Sequence, residues 1–308
     1  MASTTHLATP EDDARHTPGP GSLPLWNESL WFPFYDPESE VGVVLRAGIH
    51  ANLGKANLFL FLTHRGTVVH SLIDHRLPVP PVEQGRLEMA GLVIEWLAPR
   101  ERFRLRYRHG AHAMDVVWQG ISPTYLYPHP PGVSFDQYPG HIEQGGAVSG
   151  TVTLAGVPYP IDCLGHRDHS WGGERDWAKF HRWNYLSGEL GRDLWFNAVR
   201  IDFGPETDIR VGCVWDGREL LPLTSIELAV ETADGGARQL GVDARLRDER
   251  GREYRVVGEE VLVNLPVQYG RTWLKDGITR YRSEDRVGYG ILEHGYVEQP
   301  GGSVRSMV

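Results

Sequence analysis

The chain has 308 residues, is 41% hydrophobic and 23% charged, and carries a formal net charge of −9. That balance describes a globular protein with enough chain for one large or two medium cores. The acidic excess, with no run of Lys or Arg, argues against a nucleic-acid partner, and no apolar run approaches the ~20 residues of a membrane-crossing helix.

The first stretch, "MASTTHLATPEDDARHTPGPGS", has no apolar core segment and carries acidic residues. It does not read as a signal peptide, so a cytoplasmic protein with a disordered tail over residues 1–24 is expected. From there the dominant signal is period two. "RFRLRYR" alternates fully, with Phe103, Leu105 and Tyr107 on one face and arginines on the other. "VGVVLRAGIHANL", "LFLFLTHRG", "AMDVVWQG", "LWFNAVRIDFG", "IRVGCVWDG" and "REYRVVGEEVLVNLPV" are further short runs rich in β-branched and aromatic residues. Turn signals punctuate them at 64–66, 108–110, 216–217, 234–235 and 250–251. Such runs predict an all-β chain of antiparallel hairpins, closed into barrels or stacked as sandwiches. A Pro/Tyr/Gly-rich stretch over 121–146 reads as a linker or an elaborated loop. The last residues, 301–308, read as loose.

The segment "LGHRDHSWGGERDWAKFHRWNYLSGE", residues 164–189, breaks this monotony with its concentration of titratable and aromatic groups. His166, His169 and His181 do not have the spacing of a metal site, because His166 and His169 would point to opposite faces of a strand, so no metal is expected. No phosphate loop, dinucleotide fingerprint or nucleophile elbow occurs. Cys163 and Cys213 form no C-x-x-C motif and read as small buried thiols.

Asp168-His169-Ser170-Trp171-Gly172 resembles the signature of the carotenoid 1,2-hydratase (hydroxyneurosporene synthase) and AttH-like superfamily. The run from His141 to Gly172 is similar to an uncharacterised bacterial branch that carries Glu-Gln-x-Gly and then Gly-x-Arg-Asp-x-Ser-Trp-Gly. "GYGILEHGY" at 288–296 fits its C-terminal half. The resemblance spans residues 25–300 and is specific only in the central part. It implies two tandem lipocalin-like β-barrel or half-barrel domains, 25–170 and 171–300, with a ligand site near their junction. It also implies chemistry on hydrophobic unsaturated molecules without a metal or organic cofactor.

Hydrating an alkene needs a carboxylic acid that stays protonated, aromatic faces for the carbocation and a base to orient water. Asp168 is the expected acid, or else an arginine-locked strut. Glu143 is the second candidate, and His169 could orient water if a bulge brought it to the face of Asp168. Trp171, His181, Trp183, Tyr185, Trp195, Asn197, His294 and Tyr296 are the candidate substrate wall. The expected protein is therefore a cofactor-independent hydratase, dehydratase or cyclase for a terpenoid, carotenoid-like or steroid-like molecule held in a barrel cavity. The competing readings are a lipocalin-like carrier of the same small molecules and a structural protein whose polar centre joins two barrels.

Overall fold

Period-two sequence becomes sheet wherever one face can be buried. The computed structural model describes residues 6–298, apart from 130, 131, 133, 137, 205 and 206, and is built almost wholly of antiparallel strands. The expectation for residues 301–308 lies outside the described residues. The chain forms two units, Met1–Arg175 and Asp176–Val308, so the break falls a few residues beyond the expected 170/171.

The first unit contains β1 (Asn27–Asp36), β2 (Val41–His50), β3 (Lys55–His64), β4 (Thr67–Leu77), β5 (Arg86–Met89), β6 (Leu92–Ala98), β7 (Arg102–His109), β8 (His112–Gly120), β9 (Tyr125–Leu126), β10 (Gly140–Leu154) and β11 (Val157–Gly172). They form one 11-stranded sheet in the order β4-β3-β2-β1-β11-β10-β8-β7-β6-β5, with β9 paired to β10. One face holds a contiguous apolar cluster that includes Leu30, Phe32, Leu45, Leu60, Phe103, Leu105 and Trp118. In β7 the arginines face away from it, and Arg104 and Arg106 pair with Asp115 and Glu95. The turn between β3 and β4 uses Arg65 and Gly66, both at positive φ, which suits a two-residue hairpin. The stretch 121–146 is internal to this unit rather than a linker. Residues 140–146 open β10, and Gly146 lies flat under Trp118, where an added Cβ would meet Cε2 at 2.1 Å.

The expected loose N-terminus is instead packed over residues 6–26. Ala8, Asp13, Arg15 and Trp26 are buried, and backbone bonds tie Ala8 to Thr124 and His6 to Leu126. Its anchor is Asp13, whose carboxylate takes Nη1 and Nη2 of Arg167 at 2.7 and 3.0 Å and the backbone N–H of Arg100 at 2.6 Å. The composition of the segment is polar, but its polar groups answer buried ones in the sheet, which a composition reading cannot anticipate.

The second unit contains β12 (Arg182–Gly191), β13 (Leu194–Gly204), β14 (Thr207–Trp215), β15 (Leu220–Ala233), β16 (Arg238–Asp248), β17 (Glu253–Tyr269), β18 (Thr272–Ser283) and β19 (Arg286–Val297). They close into an eight-stranded barrel in chain order. Its interior is packed with side chains, among them Leu186, Phe196, Ile226, Val242, Leu246, Tyr281 and Leu292. Cys163 and Cys213 form no disulfide among the described residues.

Removing Asp13 leaves the buried Arg167 without its carboxylate. Asp13→Ala is expected to cost about 3–5 kcal/mol in urea unfolding, and Asp13→Ala combined with Arg167→Met to recover part of that loss. Equal losses in the single and double variants would show that the pair does not hold the segment.

Candidate functional site

β10 and β11 pair without a bulge from Gly140↔Trp171 to Leu154↔Val157. This unbroken register sorts the central motif by parity. Gln144 and Arg167, direct partners, face the apolar core; Glu143 and Asp168, also direct partners, face the other way. The anticipated bulge is absent from 140–171, and the chain turns only at the last residue of the motif, Gly172, and at Gly173, both at positive φ. Asp168 and His169 therefore lie on opposite faces, and His169 does not tune Asp168.

On the face of Asp168, Glu143 is the organising group. Its Oε1 lies 2.6 Å from His141 Nε2 and accepts the Tyr127 hydroxyl at 3.1 Å, while Oε2 lies 2.8 Å from His166 Nε2. Ligand atoms of His141, Glu143 and Asp168 all lie within 4.8 Å of one another. Burial alone would raise the pKa of Glu143, but the charge and hydrogen bond of His141, and then the contact with His166, bring it down to about 2. Asp168 behaves oppositely. Its side chain is half-buried, its Oδ1 is fully buried, and that oxygen has no hydrogen-bond partner among the described residues. Burial is the largest influence and raises its pKa to about 6. The negative charge of Glu143 works in the same direction, against His141, Arg46 and Arg175. Trp31 is the cross-strand partner of Asp168 on β1, and beyond it the Ser29 and Ser170 hydroxyls meet at 2.9 Å, the latter also accepting from Arg175.

On the core face the same strand ends in a different cluster. Arg167 stacks over Phe103 and Trp118, its carbon 4.5 and 5.2 Å from the ring centres, and bonds Gln144 and Asp13. His169 sits between Asp13 and Glu28, at 3.5 and 3.4 Å, which are ion-pair distances rather than hydrogen bonds. Burial lowers its pKa, and the two carboxylates more than restore it, leaving it raised. Glu28 is also bonded by Arg15. Trp171 stacks on His16, with ring centres 4.4 Å apart and planes 2° from parallel. Its role here is to seat the N-terminal segment, and it does not line the face of Asp168.

Two groups could surround a cation: His16, Glu28 and His169; and His141, Glu143 and Asp168. In the first, Arg15 already supplies positive charge at Glu28. In the second, Arg46 and Arg175 act on Asp168 in the same sense. His166 and His169 do point to opposite faces, as strand parity requires.

The remaining candidates are in the second unit and divide between the two sides of the barrel wall. Trp183, Tyr185, Trp195 and Asn197 share the outer side and are buried. Trp183 donates to Glu293, and Asn197 donates to the Leu186 carbonyl. His294 and Tyr296 belong to the inner side, with Asn184. His181 is exposed just ahead of β12. The seven candidates of the second unit therefore do not line one surface. Sequence reasoning missed His166, Tyr127 and Trp31 as neighbours of the carboxylates. The signal for His166 was available, since it shares the parity of Asp168 on β11. A surface depression of about 410 Å³ on the second barrel is lined by Glu227, Arg245, Arg247, Glu253 and Arg255 among others and lies on a different unit from the motif.

Fold and site together define an all-β, lipocalin-like protein that carries a histidine-flanked carboxylate pair. The family model described as "Domain of unknown function (DUF7064)" matches residues 9–297, and the chain belongs to that family. No curated protein matches it. Among solved structures, it is similar to an AttH-like protein from Nitrosomonas europaea, with TM-score 0.65 and 13% identity over 99% of each chain. It is also similar to kievitone hydratase from Nectria haematococca, with TM-score 0.63 and 14% identity over 95% of this chain and 94% of that one. A third is CghA with Sch210972, with TM-score 0.60 and 11% identity over 96% and 97%. At these identities the likeness is one of fold. It agrees with the AttH-like resemblance of the motif without singling out carotenoid 1,2-hydratase.

The raised pKa of Asp168 has a signed consequence for stability. Its folded value, about 6, lies above the ordinary 3.8, so the folded state holds this proton more tightly than the unfolded chain. The contribution is fully present below 3.8 and is lost as pH rises through about 6. Asp168→Asn, always neutral, is expected to unfold at the wild-type midpoint near pH 3.5 and to gain on the order of 1 kcal/mol by pH 7.5, a value discounted for half-exposure. A pH-independent difference in midpoint would contradict the raised value.

Proposed function

We propose that the protein is a cofactor-independent acid/base lyase or isomerase, a hydratase, dehydratase or cyclase acting on a hydrophobic unsaturated molecule of terpenoid, carotenoid-like or steroid-like type. One observation carries the reading: two carboxyls, directly paired across β10 and β11, whose surroundings push their pKa values apart. Asp168 is the general acid. Its proton passes to one carbon of the substrate double bond, and the π electrons leave the other carbon cationic. Trp31 and Tyr127 offer ring faces to that cation, each worth about 0.5–2 kcal/mol where they meet it. Water adds through its oxygen, and the proton it sheds passes to Glu143, held in place by His141, His166 and Tyr127. A protonated alcohol is acidic enough for even a weakly basic carboxylate to take that proton. Return of a proton to Asp168 closes the cycle.

The likeness of fold to a protein named kievitone hydratase supports the reaction class. The expected location changes. The acid lies on the sheet face opposite the apolar core, and the inner faces of both units carry contiguous apolar clusters. A carrier that holds its ligand inside a barrel therefore finds less support than an enzyme.

The test is turnover in deuterium oxide with the metal-free protein and a panel of isoprenoid alkenes and tertiary alcohols, read by product formation and deuterium uptake. Wild type should turn over, with the rate falling as pH rises through about 6. Asp168→Asn should lose about 10²–10⁴-fold, the usual worth of a positioned acid. Turnover that survives Asp168→Asn would remove the acid assignment. Tight binding without turnover by wild type would replace the enzyme with a carrier.

A further inference from the structure

The second barrel has a polar end of its own. Its apolar interior includes Leu186 of β12, Leu292 of β19 and Tyr281 of β18. The same parity, followed along each strand, brings further side chains to the inside. Asn184, His294 and Lys275 form one cross-strand row, and Arg182, Tyr296 and Trp273 form the next.

Most of these groups are satisfied. Asn184 Nδ2 donates to His294 Nδ1 at 3.0 Å, which leaves His294 Nε2 to donate to the Gly236 carbonyl at 3.1 Å. That is the neutral tautomer. Burial first, and then the charges of Arg182 and Lys275, push the pKa of His294 down to about 4, against the Gly236 bond. The Lys275 ammonium bonds the Ala237 carbonyl and lies 5.3 Å from the ring centres of both Trp273 and Tyr296.

Arg182 is different. It is only 8% exposed, and among the described residues its guanidinium makes no hydrogen bond or ion pair. A guanidinium carries five N–H donors, and those of Arg182 have no protein acceptor among the described residues yet are not sealed from solvent. The other charges around this end are accounted for. Asp202 is its cross-strand neighbour on β13 and attracts it. Arg200 pairs with Asp208, and Asp234 pairs with Arg238. Glu298 accepts the Trp273 indole N–H. Trp273 and Lys275 remain partly exposed, so the end is reachable from solvent on their side.

We infer that this end of the second barrel binds an organic carboxylate, with the Arg182 guanidinium taking the carboxylate as a two-pronged partner and the Trp273 and Tyr296 rings packing the body of the ligand. A planar monoanion matches one guanidinium fork. Asp202 and Glu298 stand close enough to oppose a dianion such as phosphate. The site is built within Asp176–Val308 alone, so it stands or falls independently of the acid on β11. It also gives Tyr296 a ligand-facing role that does not require it to share a surface with Trp183.

Titration calorimetry of the full chain with benzoate, benzamide and inorganic phosphate tests this. Benzoate should bind saturably, at least about tenfold more tightly than its neutral isostere benzamide and more tightly than phosphate. Arg182→Gln should weaken benzoate by about tenfold or more, and Arg182→Lys, which keeps charge but loses the fork, should also weaken it. Equal binding of benzoate and benzamide, undiminished binding by Arg182→Gln, or no saturable benzoate binding would overturn the proposal. Tighter binding of phosphate would overturn the ligand class. Circular dichroism and thermal midpoints establish that the variants are folded. Should Arg182→Gln fail to fold, the wild-type comparison of benzoate with benzamide decides alone.

Discussion

Everything distinctive about the first unit depends on the register between β10 and β11. Because successive side chains alternate between faces, one unbroken pairing assigns Gln144 and Arg167 to the core side and Glu143 and Asp168 to the other. A slip of one residue would exchange the two sets. The slipped sheet would bury Asp168 against Phe103 and Trp118, where Arg167 now lies. Toward the far end, Val148 opposite Cys163 and Ile161 opposite Gly150 keep the register, because they too would move out of the core.

The two polar clusters made by this register are governed by opposite electrostatics. On the core face, charge is neutralised: Arg167 against Asp13, and His169 between Asp13 and Glu28. Breaking such a set by removing one partner strands a buried charge, so these pairs tie the N-terminal segment to the sheet. On the other face, neutralisation is uneven. Glu143 receives two histidines and a tyrosine, whereas Asp168 has a buried oxygen with no hydrogen bond among the described residues. The same motif thus contains a strut and a strained acid one residue apart. Of the two readings of Asp168, arginine-locked strut or neutral acid, the strut finds no arginine on its buried Oδ1 among the described residues; Arg167 beside it locks Asp13 instead.

The strands were legible because alternation and turn chemistry agree. "RFRLRYR" is β7 with the predicted faces, and "HRG" is the hairpin after β3. The carboxylate pair was legible as two candidates but not as a pair, since register between distant runs is set by tertiary packing. The N-terminal segment was illegible for a related reason. Its polar composition resembles a solvated tail until the buried arginine it neutralises, 154 residues away, is placed beside it. The substrate wall failed on geometry. Shared parity within one strand, as for Trp183 and Tyr185, is readable, but whether a β19 residue faces the same side requires the barrel to be closed.

The energetic asymmetry bears on the choice between enzyme and carrier. A ligand carrier gains nothing from a carboxyl whose ionisation is opposed by burial and by a second carboxylate; an apolar side chain or an arginine pair at Asp168 would be more stable. Arg46 and Arg175 are near enough to act on Asp168 electrostatically, yet Arg46 bonds Asn57 and Arg175 bonds Ser170. Both of those partners are neutral groups, and Asp168 Oδ1 keeps no hydrogen bond among the described residues. Such an arrangement costs stability and yields one property that a carrier has no use for: a carboxylic acid able to give up its proton near neutral pH, beside a carboxylate that is already ionised.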